Sequence, residues 1–314
     1  MTATEVVPEE AADEASRGGR RWARVAADLI RLARPPQWSK NILVIPLALA
    51  SAPEWTAGTV LRTGWAVIVF CLASSLVYVV NDISDHARDR DHPVKRWRPL
   101  AQGRISLPAA RIYAATIAAA LCGAVVAGPA LSWWPLYAYV ALNFAYSRWL
   151  KHVPLLDVCV VAAGFGLRVL QGHAATGSAL SGWLLVTVLT ACLVVLVGKR
   201  RHELSIAGVA HRPALRGYNV AFADQLLAVN AILTVLTFLL YLRFDAPVGG
   251  YQTGLSAVAA PLVLFGVFRY LQSVLVGRRG GDPVRTLFRD RLIVADAILL
   301  TAAVVFALVA APDA

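Results

Sequence analysis

A stripe of aspartates directly follows a long uncharged segment of the chain. Asp82, Asp85 and Asp89 lie at positions i, i+3 and i+7, after the apolar residues 65–80. At about 100° per residue, these side chains fall within roughly 60° of one another on a helix. Because like charges held this close repel one another, the three carboxylates require cations between them.

Two sources of positive charge fit this spacing, and the sequence leaves both open. Carboxylate oxygens are hard ligands that suit Mg²⁺, which keeps several waters and bridges to substrate phosphates. The neighbouring Arg88 and Arg90 could instead neutralise the acids in a solvated loop. Pro93 ends the helix in both cases. The stripe therefore predicts either a catalytic magnesium site or an ordinary salt-bridged loop.

Other polar residues stand at the ends of apolar runs, where they could meet phosphate groups. Lys95 and Arg98 follow the stripe, and their cationic side chains suit phosphate oxygens. The further candidates are Lys40, Tyr146, Lys151, Asp157, Lys199 and Glu203. Simpler roles are also open: a basic flank for Lys40, an aromatic belt for Tyr146, and helix support for Lys199 with Glu203.

The elements that must position these residues are membrane helices. Of the 314 residues 58% are hydrophobic, and the mean hydropathy is +0.61. Runs such as 226–242 approach the roughly 20 residues that cross a hydrocarbon layer. We therefore expect an all-α membrane bundle. The nine predicted transmembrane helices are 41–56, 63–80, 108–127, 130–147, 153–173, 181–198, 225–243, 254–276 and 290–311.

The distribution of basic residues predicts how the bundle is oriented. Of the 30 Lys and Arg residues, 26 lie in the N-terminal segment and in every second connection. Short basic connections stay in the cytoplasm, so we expect a multi-pass plasma-membrane protein with its N-terminus inside and its C-terminus outside. The net charge of +11 is thus mostly a topology signal, and no nucleic-acid partner is predicted.

The rest of the sequence narrows the domain organisation and the class of function. Residues 1–20 are acidic and alanine-rich, lack the pattern of a cleavable signal, and are interpreted as a disordered tail. Residues 21–314 are predicted to form a single membrane domain. The sequence contains no P-loop, GxSxG or zinc motif, which disfavours ATP hydrolysis and serine or zinc hydrolases.

The motif from Asn81 to Asp89 resembles the first aspartate-rich motif of the UbiA superfamily of intramembrane prenyltransferases. That resemblance implies a nine-helix bundle with an active site open to the cytoplasm. The sequence resembles one branch of the superfamily in more segments. Members of that branch transfer phosphoribosyl groups to polyprenyl phosphates. The matching segments are 34–41, 81–103, 146–157, 164–169, 198–204 and 269–291.

One departure from the superfamily pattern favours that branch. Conventional members carry a second aspartate-rich motif after the sixth span, whereas residues 199–203 here are Lys-Arg-Arg-His-Glu. A second magnesium-binding stripe is missing, which disfavours ordinary prenyl transfer. The branch with a phosphoribosyl donor fits this sequence better.

The resemblance implies an Mg²⁺-dependent transfer from phosphoribosyl pyrophosphate to a polyprenyl (decaprenyl) phosphate, for cell-wall arabinan precursors. Asp82, Asp85 and Asp89 would be the catalytic metal ligands. The implied phosphate-binding cations are Lys40, Lys95, Arg98, Lys151, Lys199 and Arg200, and Asn41 and Asn81 belong to matching motifs. The alternatives are a prenyltransferase with a prenyl diphosphate donor, and a membrane transporter or lipid flippase. The sequence leaves both a monomer and a homo-oligomer open.

Overall fold

The computed structural model describes residues 23–44, 56–91, 95–207, 213–277 and 287–311. Every regular element in these ranges is a helix. The main helices are α1 (23–33), α2 (Ala57–Arg90), α3 (Leu107–Ala127), α4 (Trp134–Arg148), α5 (Leu156–Thr176), α6 (Gly182–Ala207), α7 (Val220–Leu240), α8 (Gln252–Leu275) and α9 (Arg291–Ala310).

Shorter helical turns link these elements. Helix α7 continues into a π-helical turn, Tyr241–Asp245. The 3₁₀ helices are Pro35–Val44, Lys95–Trp97, Leu150–His152, Pro213–Gly217 and Gly249–Tyr251.

Seven helices among the described residues are long and apolar enough to cross a membrane. They cover Ala57–Arg90, Leu107–Ala127, Leu156–Thr176, Gly182–Ser205, Val220–Asp245, Gly249–Leu275 and Arg291–Ala310. The predicted span 41–56 lies largely outside the described residues. The predicted span 130–147 corresponds to α4, whose 15 residues fall short of the roughly 20 that a crossing requires. The count of nine spans therefore stays a prediction.

The length of α2 explains why its last turns can carry charge. Its 34 residues make a helix about 51 Å long, whereas a hydrocarbon core is about 30 Å thick. The final turns, from Asp82 to Arg90, therefore extend beyond the apolar part of the helix.

Side-chain caps fix where several helices begin. Ser106 precedes α3, and its Oγ accepts a hydrogen bond from the backbone N of Ala109 at 3.4 Å. Asn219 caps α7 through Phe222, and Asp290 caps α9 through Leu292. Each cap satisfies a backbone N–H that has no partner inside its helix.

The chain divides into two compact units, residues 1–41 with 68–129 and residues 42–67 with 130–314. In the first unit, Leu32, Val79, Leu100 and Ile105 belong to one buried core. In the second unit, a core joins α6, α7, α8 and α9, with α6 and α7 in the most extensive contact. The tail 1–20 lies outside the described residues, and the single membrane domain 21–314 stays a prediction.

Candidate active site

Two acids of the aspartate stripe are buried at the end of α2. Asp82 and Asp89 are each 3% exposed, and Asp85 is partly exposed. The carboxylates of Asp82 and Asp89 share one face of the helix, as their spacing predicts, because a single arginine contacts both. Burying two carboxylates without cations would cost several kcal/mol, so their partners decide what the site can do.

Arg98 bridges these two acids. Its Nη1 donates to Asp82 Oδ1 at 3.0 Å and to Asp89 Oδ2 at 2.5 Å. The 3₁₀ turn Lys95–Trp97 brings Arg98 back towards α2, and the Arg98 backbone N donates to the Lys95 carbonyl at 3.0 Å. Lys95 Nζ lies 3.9 Å from Asp89 Oδ1. The cations that follow the stripe in sequence therefore face it in space.

Arg34 supplies a second cation that the sequence analysis did not select. Its Nη2 donates to Asp82 Oδ1 at 2.5 Å, and its guanidinium lies 4.8 Å from the centre of the Tyr78 ring. Arg34 has a φ of +54°, in the left-handed region that non-glycine residues rarely adopt. Such backbone strain is typical of functional positions. In the sequence, a role for Arg34 was indicated by its position in segment 34–41, which matches a family motif.

Asp85 is less buried than Asp82 and Asp89. Arg88 Nη1 lies 3.9 Å from Asp85 Oδ1, and the Arg88 side chain is 77% exposed. An exposed ion pair at this separation contributes less than about 1 kcal/mol. Arg88, one of the two arginines expected to neutralise the stripe, thus pairs with Asp85. Arg34 pairs with Asp82, and Arg98 pairs with both Asp82 and Asp89. We call Asp82, Asp85, Asp89, Arg34 and Arg98 the α2 cluster.

The donor chemistry of the α2 cluster fits Mg²⁺. Within the described residues, no group of three or more His, Cys, Asp or Glu side chains is arranged to hold a metal ion. Mg²⁺ does not need such a group, because it commonly takes one or two carboxylates and completes its shell with water and substrate phosphates. Asp82 Oδ1 and Asp89 Oδ2 already converge on one cationic nitrogen, and Asp85 lies one turn away.

The residues before the first predicted span pack against α2. Asn41 is fully buried; its Nδ2 donates to Cys71 Sγ at 3.3 Å, and its Oδ1 accepts from Ser74 at 3.4 Å. Trp38 donates to Ser75 at 2.9 Å. These contacts fasten the 3₁₀ segment to α2 about two to three turns before the stripe. Lys40 and Asn81 are partly buried.

A second cluster of buried charge lies in the other unit. Arg200 Nε donates to Asp157 Oδ2 at 2.7 Å, and Arg200 Nη1 donates to Glu203 Oε2 at 2.6 Å. The Tyr218 hydroxyl donates to Asp157 Oδ1 at 2.8 Å and accepts from the backbone N of Leu155 at 3.0 Å. We call Asp157, Arg200, Glu203 and Tyr218 the Asp157 cluster.

This arrangement favours a structural role for Arg200 over the phosphate-binding role expected from the sequence. Its side chain is 5% exposed and lies between two carboxylates. The ion pair within α6 joins Arg200 to Glu203, whereas the expected partner of Glu203, Lys199, is exposed. Asp157 and Glu203 are thus engaged with Arg200. Tyr146 and Lys151 are partly buried in the same unit.

Tyr218 is the member of the Asp157 cluster that the sequence analysis missed. Burial raises the pKa of Tyr218, and the hydrogen bond to Asp157 raises it further because an ionised phenol would face a carboxylate. No local pattern points to Tyr218, since 61 residues separate it from Asp157.

These features define a multi-pass helical membrane protein with an acidic, arginine-bridged site at the end of one helix. Residues 42–293 match the model of the UbiA prenyltransferase family. The chain belongs to this family and is a transferase.

Curated relatives and a solved structure agree with that assignment. The chain is 33% identical over 279 residues to a decaprenyl-phosphate phosphoribosyltransferase of Mycobacterium tuberculosis, which covers 86% of this chain and 91% of the relative. It is 34% identical over 289 residues to the Mycolicibacterium smegmatis protein of the same name, with 86% and 88% covered. A UbiA homologue from Archaeoglobus fulgidus, solved with GPP and Mg²⁺, has the same fold, with a TM-score of 0.65 at 16% identity over 91% of this chain and 99% of that one.

Proposed function

We propose that this chain transfers a 5-phosphoribosyl group from phosphoribosyl pyrophosphate to a polyprenyl phosphate and requires Mg²⁺. The observation that carries the proposal is the convergence of Asp82 and Asp89 on one cation at the end of a membrane helix. The names of the mycobacterial relatives support this choice of acceptor and transferred group. The product would serve as a precursor of cell-wall arabinan.

The last residues of α6, which follow its apolar part, support phosphoribosyl pyrophosphate rather than a prenyl diphosphate as the donor. Conventional members of the family hold the prenyl diphosphate there with a second aspartate-rich motif. In residues 199–207 of this chain the only acid is Glu203, and Arg200 already neutralises it. No second carboxylate stripe is therefore available in this segment to bind another metal ion.

The proposed reaction is a displacement at the anomeric carbon of the sugar. An oxygen of the lipid phosphate forms a bond to C1 of the ribose, and the bond from C1 to the pyrophosphate oxygen breaks. The electron pair of that bond leaves with the pyrophosphate. The attacking phosphate is already anionic near neutral pH, so the reaction needs no strong general base. This explains why a site without a catalytic histidine or serine suffices.

In the α2 cluster the aspartates would bind the metal ion and the arginines would bind phosphate groups. Mg²⁺, when bound, supplies positive charge to the departing pyrophosphate. Asp82 and Asp89 would hold the ion, with Asp85 as the third acid of the stripe. Arg34 and Arg98 would then bind phosphate oxygens. A planar guanidinium suits this role because it can donate two parallel hydrogen bonds to a phosphate group. We place this site on the cytoplasmic side, with the N-terminus inside and the C-terminus outside.

A direct test is label transfer by the purified protein in lipid nanodiscs. Radiolabelled phosphoribosyl pyrophosphate and decaprenyl phosphate are incubated with Mg²⁺ or with EDTA, and the lipid fraction is counted. We expect labelled lipid only with Mg²⁺. If prenyl diphosphate is consumed and the sugar donor ignored, the chain is a conventional prenyltransferase. If the protein forms no product but moves lipid between the leaflets of sealed liposomes, it is a flippase.

Asp85→Asn is the most informative variant in this assay. Asp85 is less buried than Asp82 and Asp89, so the substitution should disturb unfolding less than the same change at either of those positions. Loss of a charge-stabilising group should nonetheless lower transfer by about 100-fold or more. The matched control is Asp91→Asn, an exposed aspartate just beyond α2. Full activity of the Asp85→Asn protein would remove this acid from the metal site.

A further inference from the structure

Helix α1 carries a buried acid that lies beside two arginines. Asp28 is 6% exposed, and its Oδ1 lies 3.3 Å from Arg31 Nη1 and 3.4 Å from Arg104 Nη1. Arg31 belongs to the same helix, whereas Arg104 lies just before α3 in the chain. Because burying a carboxylate without a cation costs free energy, the pair with Arg104 ties the segment before α3 to α1.

Arg104 lies in the same short turn as Arg98, a member of the α2 cluster. We call residues 98–105 the Arg98 turn. Among the backbone hydrogen bonds that close it, Gln102 N donates to the Arg98 carbonyl at 3.0 Å, and Arg104 N donates to the Pro99 carbonyl at 3.0 Å. These bonds restrict the backbone between the two arginines. A contact that holds Arg104 therefore also limits where the backbone of Arg98 can lie.

Apolar packing also holds the Arg98 turn against α1. Leu100 of the turn and Leu32 of α1 belong to one buried core, and they are 3% and 1% exposed. Arg34 directly follows α1 in the chain and contacts Asp82, which Arg98 also contacts. Both arginines on this acid are thus attached to α1, the first through the chain and the second through the packing and the ion pair of its turn.

We propose that the ion pair of Asp28 and Arg104 positions Arg98 to bind phosphate groups of the donor. Its effect on the substrate rests on the proposed function, in which Arg98 binds phosphate oxygens. A guanidinium that donates two parallel hydrogen bonds to a phosphate must approach it in one orientation, so its backbone has to be held in place. Misplacement by about 1 Å can cost up to about 100-fold in such arrangements. Asp28 and Arg104 act through Arg98, not by contact with the donor.

The two arginines beside Asp28 provide a matched pair of variants. Arg104→Met and Arg31→Met each remove one arginine from Asp28 Oδ1, and both side chains are partly exposed, at 41% and 64%. Only Arg104→Met breaks the link between α1 and the Arg98 turn. Each variant leaves Asp28 with the other arginine, so both proteins should fold. Asp28→Asn keeps the shape of the side chain and should behave like Arg104→Met.

A measurement without substrate tests whether the ion pair holds the Arg98 turn. Hydrogen exchange is followed in peptides that cover this turn, with the protein in phosphatidylcholine nanodiscs and without donor or Mg²⁺. Arg104→Met and Asp28→Asn should each speed exchange about three- to tenfold, because the turn opens more often. Arg31→Met should change exchange by less than about twofold. Equal exchange in the parent, Arg104→Met and Asp28→Asn proteins would overturn the proposal.

Donor binding tests whether the ion pair acts through Arg98. Radiolabelled phosphoribosyl pyrophosphate and Mg²⁺ are titrated into the same nanodiscs without polyprenyl phosphate, so no transfer occurs. Arg104→Met should raise the Kd of the donor about three- to tenfold, whereas Arg31→Met should not. In an Arg98→Met background, Arg104→Met should weaken binding no further, since both changes remove the same contact with the donor. Equal weakening in both backgrounds would overturn the proposal.

Donor binding by the parent protein separates this proposal from the proposed function. If the parent binds no phosphoribosyl pyrophosphate, the proposed function fails. If the parent binds it and the Arg104→Met protein binds it equally well, the proposed function stands and the role of the ion pair fails.

Discussion

The α2 cluster and the Asp157 cluster both hold buried aspartates against arginine, but the arginines differ in exposure. Arg98 is 27% exposed in the α2 cluster, whereas Arg200 is 5% exposed in the Asp157 cluster. In the α2 cluster two arginines contact the single carboxylate of Asp82, and in the Asp157 cluster two carboxylates contact the single Arg200.

This difference separates a site that can exchange its cations from an ion pair that fixes the fold. A partly exposed guanidinium can turn to solvent or to a phosphate, provided that another cation such as Mg²⁺ replaces it beside the buried carboxylates. A fully buried one cannot, because leaving its partners would expose an unpaired charge to a low-dielectric interior. Substitutions in the α2 cluster should therefore change activity first, and substitutions in the Asp157 cluster should change stability first.

The largest effect is expected at Asp89. Asp89→Asn keeps the shape of the side chain but removes a carboxylate that we assign to the metal, so transfer should fall by about 100- to 1,000-fold. The measurement is label transfer at saturating Mg²⁺, with Asp91→Asn as the control. Activity within a few-fold of the parent would show that the stripe does not bind the catalytic ion.

The next largest effect is a loss of stability at Arg200. Arg200→Met removes the guanidinium that pairs with Asp157, which is 0% exposed, and should lower the free energy of unfolding by about 3–5 kcal/mol. The double variant Asp157→Leu with Arg200→Met removes both charges and should recover much of that loss. Unfolding in detergent by heat or denaturant measures both. If the Arg200→Met protein were as stable as the parent, Arg200 would not stabilise the fold.

The change in melting temperature caused by Mg²⁺ should differ between variants of Arg98 and Arg88. This measurement involves no turnover. Arg98→Met leaves Asp82 and Asp89 with one cation fewer, so added Mg²⁺ should raise the melting temperature more than in the parent. EDTA should reverse the gain. The control is Arg88→Met, at an exposed arginine beside Asp85. Equal Mg²⁺ shifts in the parent and both variants would argue against exchange at Asp82 and Asp89.

The smallest effect concerns Tyr218. Tyr218→Phe removes the hydrogen bond to Asp157 and should cost about 1–2 kcal/mol. The raised pKa of Tyr218 means that the folded protein keeps the phenol protonated where the unfolded chain ionises. The stability that Tyr218 contributes is therefore complete below about pH 10 and is lost as pH rises above that value. The difference in melting temperature between parent and variant, followed from pH 8 to 11, should shrink at the alkaline end.

Predictions from sequence succeeded where neighbours along the chain carry the information. The spacing of Asp82 and Asp89 predicted a shared helix face, and a single arginine contacts both. The expected helix 108–127 is observed as α3, Leu107–Ala127. Hydropathy was less useful for 130–147, because an apolar run does not reveal that its helix has only 15 residues.

Predictions failed or stayed open where the partner is distant in sequence. Arg34 reaches Asp82 across 48 residues, so the choice of Arg88 and Arg90 as neutralising cations missed the nearer one in space. The family resemblance implied a phosphate-binding role for Arg200, which stays a prediction; its side chain lies between Asp157 and Glu203. Sequence shows that a residue is charged but not which charge it faces.

The sequence by itself determined the class of protein, the helical framework and the position of the acids at the end of α2. Those properties follow from apolar run length and from helical periodicity, which are local. Only the tertiary structure decided that Arg34 and Arg98 are the cations on Asp82, that Arg200 is enclosed by acids, and that Arg104 lies beside Asp28. These pairings depend on how helices far apart in the chain pack, because the cost of burying a charge is set by the group that packing places beside it.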